Sequence, residues 1–426
     1  MAKTVDRRVV YVYAHWLGLG EPALMGTLSA TPVRGKEVFS FAYADRWLQS
    51  PHAQELDPSL QLYAGPQYLA ADEQGNFGLF LDSAPDRWGR VLMDRREAQS
   101  ARSESRRPRP LLESDYLLGV YDGHRLGGLR FKRDPEGPFL DDNQAEAAPP
   151  WASLRELEHV SWQLERPDAA SDPAYPQWLA QLVAPGASLG GARPKASIVD
   201  QTGQLWIAKF PSRFDERNIG AWEAVVRDLA QQAGLNVAAG QAQRFGNRHH
   251  TFLSQRFDRI TTGERRHYAS ALTLLGYHDG TSHKDGASYL HLAEFLQRSG
   301  ASVAEDLQEL WRRIVFNICV SNTDDHLRNH GFLLTPEGWR LSPAFDLNPV
   351  PVSYGLTLNI SETDNALSLE LAREVAPFFR LKPDKAAEIE DQVKSAARNW
   401  RERAGMYGIS RGEQEEMVDA FARTRM

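Results

Sequence analysis

The sequence predicts an α+β protein, with strand-led segments in its first part and helices through its last third. Three observations carry that expectation. Val9-Val10-Tyr11-Val12-Tyr13 and Val38-Phe39-Ser40-Phe41-Ala42-Tyr43 have the β-branched and aromatic content of strands. Near Ser288 the pattern turns helical, and Val303, Leu307, Leu310, Ile314 and Ile318 then form one apolar stripe. Between these regimes, residues 134–150 are rich in proline, acid and alanine and lack periodicity, which is a linker composition. The expected division is a mixed module over 1–135, a linker at 136–150, a second mixed segment over 151–262 and a helical part over 263–426.

The 426 residues are 42% hydrophobic and 25% charged, enough for two or three domains with sizeable cores. A formal net charge of −7 argues against holding nucleic acid by bulk electrostatics, because such binding rests on neutralised phosphates. Any DNA association is expected to be local or borrowed from a basic partner. The lone Cys319 permits no intrachain disulfide and lies in an apolar helix pattern, so it reads as a small core residue. The first residues show no secretory-leader core and no run is long enough to cross a bilayer, so a cytoplasmic setting is expected, with no membrane partner.

From Arg87 to Arg109 there are eight arginines against Asp94, Glu97 and Glu104. A solvated face is the plain reading of such a run, and a contact for a partner or a DNA backbone is the sharper one. Gly186 to Lys195 is glycine-rich, and glycines let backbone N–H groups approach phosphate oxygens; they also simply make turns. Ala196–Val199 and Leu205–Phe210 read as a hairpin around Gln201-Thr202-Gly203-Gln204. Strand alternation places Lys209 on one face with Leu205 and Ile207, where it needs either an anionic partner or a route to water. A helix pattern follows, with Ile219, Glu223, Val226 and Ala230 in one stripe and Gly234 just past its end. Glu223 is costly in that stripe unless paired, and Lys209 is the candidate. Phe252 to Arg259 reads as a strand, and Ser302-Val303-Ala304-Glu305 as a capping box opening the long helix.

That helix leads into Asn322-Thr323-Asp324-Asp325-His326-Leu327-Arg328-Asn329-His330. Asp324 and Asn329 are five positions apart, the spacing of the proton-accepting aspartate and metal-binding asparagine in a kinase catalytic loop. A polar turn is the bland alternative. Asp346 then falls where a second metal-binding carboxylate is needed. Magnesium takes hard oxygen ligands and keeps several waters, so one carboxylate, one amide and phosphate oxygens can share it. An ATP-dependent phosphotransferase is the expected chemistry.

Taken together, Ser188-Leu189-Gly190-Gly191-Ala192-Arg193-Pro194-Lys195, Ile207-Ala208-Lys209-Phe210-Pro211, Gln255-Arg256-Phe257-Asp258-Arg259, the 322–329 loop and Phe345-Asp346 resemble the HipA family of serine/threonine kinases. Pro85-Asp86-Arg87-Trp88-Gly89-Arg90 also resembles that family's N-terminal domain. The resemblance implies a bilobal protein-kinase-like fold, with an all-helical C-terminal lobe over 263–426 and the N-lobe over 151–262. It implies Asp324 as catalytic base and Asn329 and Asp346 as magnesium ligands. Gly190, Gly191, Ala192, Arg193, Pro194, Lys195, Lys209, Gln255, Arg256, Phe257, His326, Arg328, Asn329 and Asp346 are its implied ATP site. Glu223 is implied to pair with Lys209, and Ser188 to be an autophosphorylated serine that silences the enzyme. A HipB-like DNA-binding antitoxin and an aminoacyl-tRNA synthetase substrate are the implied partners, with DNA reached only through the antitoxin. Asp325 departs from the glycine that can follow the catalytic aspartate, so an extra carboxylate is expected near the metals.

Two other classes compete: a small-molecule or lipid kinase, whose loops also set an aspartate two positions before a histidine, and a catalytically silent repressor component. A zinc site on His326 and His330 is a further possibility from their i, i+4 spacing, without the other ligands such a site needs.

Overall fold

The computed structural model describes residues 7–69, 75–143, 147–186, 193–246, 248–260, 263–352 and 354–425. The chain forms two compact units, Met1–Arg213 with Asp258–Ala269, and Phe214–Phe257 with Ser270–Met426.

In the first unit, β1 (Arg8–Ala14), β2 (Ala23–Val33), β3 (Lys36–Tyr43), β4 (Pro66–Tyr68) and β5 (Leu129–Lys132) form one antiparallel sheet. Their order is β4-β3-β2-β1-β5. Alternation does the sorting: Val10, Val12 and Ala14 on β1, and Phe39, Phe41 and Tyr43 on β3, are buried. Val33 pairs with Lys36 across Arg34 and Gly35, both at positive φ (50° and 83°), the geometry of a two-residue hairpin turn that matches strand twist. Phe80 lies between Phe41 (5.4 Å) and Phe131 (6.2 Å) in the core beneath the sheet. Arg125 is also buried there, its guanidinium donating to the carbonyls of Ser83, Leu117 and Val120. Burial lowers its pKa to about 10, so it remains a cation at neutral pH.

The Arg87–Ser103 helix approaches the Tyr175–Gly186 helix closely at Gly186, where a Cβ would stand 2.6 Å from Leu92 Cδ1. Trp88 Nε1 donates to the carbonyl of Lys195 (3.0 Å), fastening the strand that follows the glycine-rich stretch. The arginine run is largely a solvated face, as plainly read, with several of its members bonded within the first unit. Arg90 makes a bidentate pair with Glu113, Arg95 and Arg102 reach the carbonyls of Leu164 and Ala170, Arg106 meets Glu97, and Arg109 grips Asp115. The described residues of the 136–150 stretch, expected as a linker, bond to the first unit: Leu140 N donates to Phe131 O, and Val199 N to Pro149 O. The expected hairpin is present as Lys195–Val199 against Leu205–Lys209, with Asp200 capping the turn through Thr202 N and Gln204 N.

The second unit contains the Ile219–Gln232 helix, capped by Asn218 and ended by Gly234 at φ 78°. A hairpin of Gly240–Gln243 and Thr251–Gln255 follows. The Val303–Val320 helix is its centre. Every residue from Leu310 to Val320 is buried, because the Pro383–Ala397 and Leu369–Val375 helices and the C-terminal turns surround it. Two expectations need correction. The C-terminal part is not all-helical, since Gly331–Thr335 and Gly338–Leu341 pair as a hairpin. The capping box at Ser302 does not form either: its side chain makes no cap bond, and Glu305 joins Asp306 in binding Arg340 of that hairpin instead. No helix among the described residues is long and apolar enough to cross a membrane.

Candidate active site

The Val303–Val320 helix ends at Ser321, which takes the left-handed region (φ 51°) as its C-cap and donates its hydroxyl to Ala420 O. That cap turns the chain sharply and presents 322–330 as a loop held from beneath. Asn322 Nδ2 donates to Asn317 Oδ1 (3.0 Å) on the helix. Asp325 is fully buried and accepts from Tyr289 Oη (2.6 Å), Asn317 Nδ2 (2.7 Å) and His330 Nε2 (2.8 Å). Burial opposes its charge, but the His330 ring and the donated hydrogen bonds outweigh that and hold its pKa below the ordinary value. The expectation that Asp325 adds a carboxylate near the metals is therefore overturned: it points inward as the loop's anchor. His330 Nε2 is engaged in the same anchor, which removes it from a zinc pair with His326.

With Asp325 turned in, the adjacent Asp324 is turned out and exposed. Its pKa is raised, first by desolvation and then by the like charges of Asp346 and Asp325, with His326 opposing. Asp324 and Asp346 thus lie within electrostatic reach of each other. Asn329 is buried and donates Nδ2 to Asp324 O (3.0 Å), which fixes its amide plane and directs Oδ1 away from that carbonyl. His326 N also donates to Asp324 O, while Arg328 is drawn to Asp279 (2.9 Å).

Asp346 follows a pinned segment, with Ala344 N donating to Asn236 O and Ala238 N to Ala344 O. It sits at φ 57°, a conformation that aspartate tolerates better than most residues. Asn348 Nδ2 donates to its Oδ1 (3.3 Å), and Asn348 N donates to Asn322 Oδ1 (3.2 Å). The Phe345 ring lies 5.6 Å from that of Phe257, so the Gln255-Arg256-Phe257 segment runs beside the Asp346 turn. The second unit therefore brings together Asp324, Asn329, Asp346 and Phe257. Glu223 belongs to the same unit, buried on the Ile219–Gln232 helix.

Arg193, Pro194, Lys195 and Lys209 belong to the first unit. There Lys195 and Lys209 stand opposite each other on the hairpin, on one face of the ribbon. Ser188, Gly190, Gly191 and Ala192 lie outside the described residues. Sequence reasoning missed the supporting residues, namely Asn317, Asn322, Asn348, Tyr289 and His330. For the three asparagines the signal was their density around the two aspartates, which turn chemistry explains equally well.

Across 98% of this chain and 96% of its own length, a chain from the Shewanella oneidensis MR-1 complex of HipA, HipB and operator DNA superposes with a TM-score of 0.65 at 18% identity. The fold is thus of the HipA kinase-like class. Residues 187–400 match the HipA-like C-terminal domain, and the chain belongs to the HipA family. Two relatives are the protein Y4mE of Sinorhizobium fredii (28% identical over 181 residues, 38% of this chain) and the serine/threonine-protein kinase toxin HipA of Shewanella oneidensis (29% over 143 residues, 29% of this chain). Those alignments span 41% and 33% of the relatives' own lengths.

The residues present fit a magnesium ion. Asn329 and Asp346 offer hard oxygens, and the repulsion from Asp346 that adds to desolvation in raising the Asp324 pKa is what a cation relieves. Beside Asp346, Asn348 Oδ1 is a buried acceptor without a donor among the described residues, suited to a metal-bound water.

Proposed function

We propose that the chain is an ATP- and magnesium-dependent serine/threonine protein kinase and the toxin of a toxin–antitoxin pair. The observation that carries this reading is the grouping of Asp324, Asn329 and Asp346, with Asp324 turned outward and its pKa raised first by desolvation and further by the charges of Asp346 and Asp325. A raised pKa makes the carboxylate a stronger base, suited to taking the proton of an incoming serine or threonine hydroxyl. As that oxygen bonds to the terminal phosphorus, the bond to the bridging oxygen breaks and ADP leaves with the electron pair. Asn329 and Asp346 would hold the ion, which when bound would neutralise phosphate charge. Lys209 and Lys195 would contribute positive charge for the phosphates, and Glu223 is the carboxylate that the family resemblance assigns to Lys209. Gly190, Gly191, Ala192, Arg193 and Pro194 cover the phosphates, and Gln255, Arg256, Phe257, His326 and Arg328 border the nucleotide.

Family membership supports the rest. The complex named above contains HipB and operator DNA, which supports a HipB-like antitoxin as partner and DNA as an indirect one. An aminoacyl-tRNA synthetase is the proposed substrate, its phosphorylation halting translation and growth in the cytoplasm. Phosphorylation at Ser188 would set a dianion against bound ATP and silence the enzyme. The test compares phosphoproteomes after induced expression of the wild type and of Asp324→Ala. A phosphosite appearing only with the wild type, together with growth arrest, is expected. Identical phosphoproteomes would sink the kinase reading, and a wild-type site on a lipid or metabolite would redirect it.

A further inference from the structure

We propose that Asn348 is a positioning residue that orients Asp346 and holds a water of its divalent cation, and that Asn322 ties this device to the catalytic loop. The inference rests on the phosphotransfer reading of the site. Its physical basis is a run of hydrogen bonds from Asp325 to Asp346, three between side chains and one from the main-chain N–H of Asn348. Asp325 accepts from Asn317 Nδ2 (2.7 Å), Asn317 Oδ1 from Asn322 Nδ2 (3.0 Å), Asn322 Oδ1 from Asn348 N (3.2 Å), and Asp346 Oδ1 from Asn348 Nδ2 (3.3 Å). One end is the residue after the candidate base and the other is the candidate metal carboxylate. The chain therefore fixes the spacing between base and metal, the quantity on which positional catalysis depends most steeply.

The amide orientations along the chain follow from its ends. Asp325 and Asp346 are acceptors only, so Asn317 and Asn348 must each present NH2 to them. With Nδ2 so assigned, Asn348 Oδ1 is left as a buried acceptor without a donor among the described residues. An orphaned acceptor in such a place costs stability until something donates to it. Magnesium dehydrates reluctantly, and its retained waters are strong donors, so Asn348 Oδ1 beside Asp346 has the chemistry of an outer-sphere contact. Asp346 itself sits at φ 57°, where a side chain that pins its carboxylate keeps a less favourable backbone state populated.

The probe is Mn2+ binding to the full chain in the presence of ATP, read by calorimetry or electron paramagnetic resonance, with metal-free ATP binding and thermal melting measured on the same samples. Asn348→Ala and the size-matched Asn348→Leu are expected to weaken Mn2+ about 10- to 100-fold, in the range for loss of an outer-sphere metal contact, while metal-free ATP binding stays at the wild-type level. Asn322→Ala is expected to weaken Mn2+ less, since it loosens only the anchor. If both Asn348 variants melt like the wild type and bind Mn2+ equally well, the proposal is overturned. If Asn348→Ala fails to fold, the Leu variant decides. If the wild type itself binds no Mn2+ with ATP, the kinase reading falls as well. Mn2+ lost in Asp346→Asn but unchanged in the Asn348 variants removes only the positioning role.

Discussion

Asp324 and Asp325 are neighbours with opposite fates, and each fate makes a prediction. The raised pKa of Asp324 means that the fold prefers the protonated form. The stability linked to this group is therefore fully present below the ordinary aspartate pKa and is lost as pH rises through the folded value. At neutral pH the charged carboxylate destabilises the fold, so Asp324→Asn should raise the melting temperature while abolishing phosphotransfer. The gain should shrink on acidification below the ordinary aspartate range, which melts at two pH values will check. Activity of the wild type should fall with acid at a pH above that range. Asp325 carries the reverse sign: its lowered pKa adds stability that disappears as acid protonates it. Asp325→Leu strands the donors of Tyr289, Asn317 and His330 in the interior and should cost about 3 to 5 kcal/mol in denaturant unfolding. The spacing of Asp324 and Asn329 was legible because five residues form one loop in any context. The inward turn of Asp325 was not, because its partners lie on other elements.

Helix ends show how far local rules reach. Asn218 caps the Ile219–Gln232 helix through its side chain, and Asn218→Ala should cost about 1 to 2 kcal/mol. Ser302 fits the capping-box pattern equally well, but its partner Glu305 is taken by Arg340 of the Gly338–Leu341 strand. Ser302→Ala should accordingly stay within about 0.5 kcal/mol. Parallel urea titrations of the two variants test the contrast. The pattern failed there because a long-range ion pair competed with a local bond of similar strength. The same competition explains the missed hairpin at 331–341, whose short apolar runs do not distinguish strand from buried helix until their neighbours are known.

At the scale of the molecule, the arginine run fits its plain reading as a solvated face. Arg90, Arg106 and Arg109 hold Glu113, Glu97 and Asp115, so their charge is largely spent within the first unit. Combined with a net charge of −7, this predicts that the chain alone does not retard an operator-length duplex at about 0.15 M salt, where weak phosphate contacts are already screened. Retardation should appear only when a HipB-like protein is added, and a shift by the chain alone would return the arginines to the DNA reading. The strand-led opening segment, the hairpin at 195–209 and the helical stripe of 303–320 were all readable, since each repeats over a short period set by its own backbone.

The sequence by itself determined the α+β class and the order of the motifs, and it nominated Asp324, Asn329 and Asp346 as candidates, because these follow from local periodicity and from spacing along the chain. Tertiary structure alone decided which aspartate faces outward, how its charge is tuned, and the asparagine chain joining the two loops. Those properties depend on hydrogen bonds between residues far apart in the chain, and a donor's partner is chosen by where the fold delivers it.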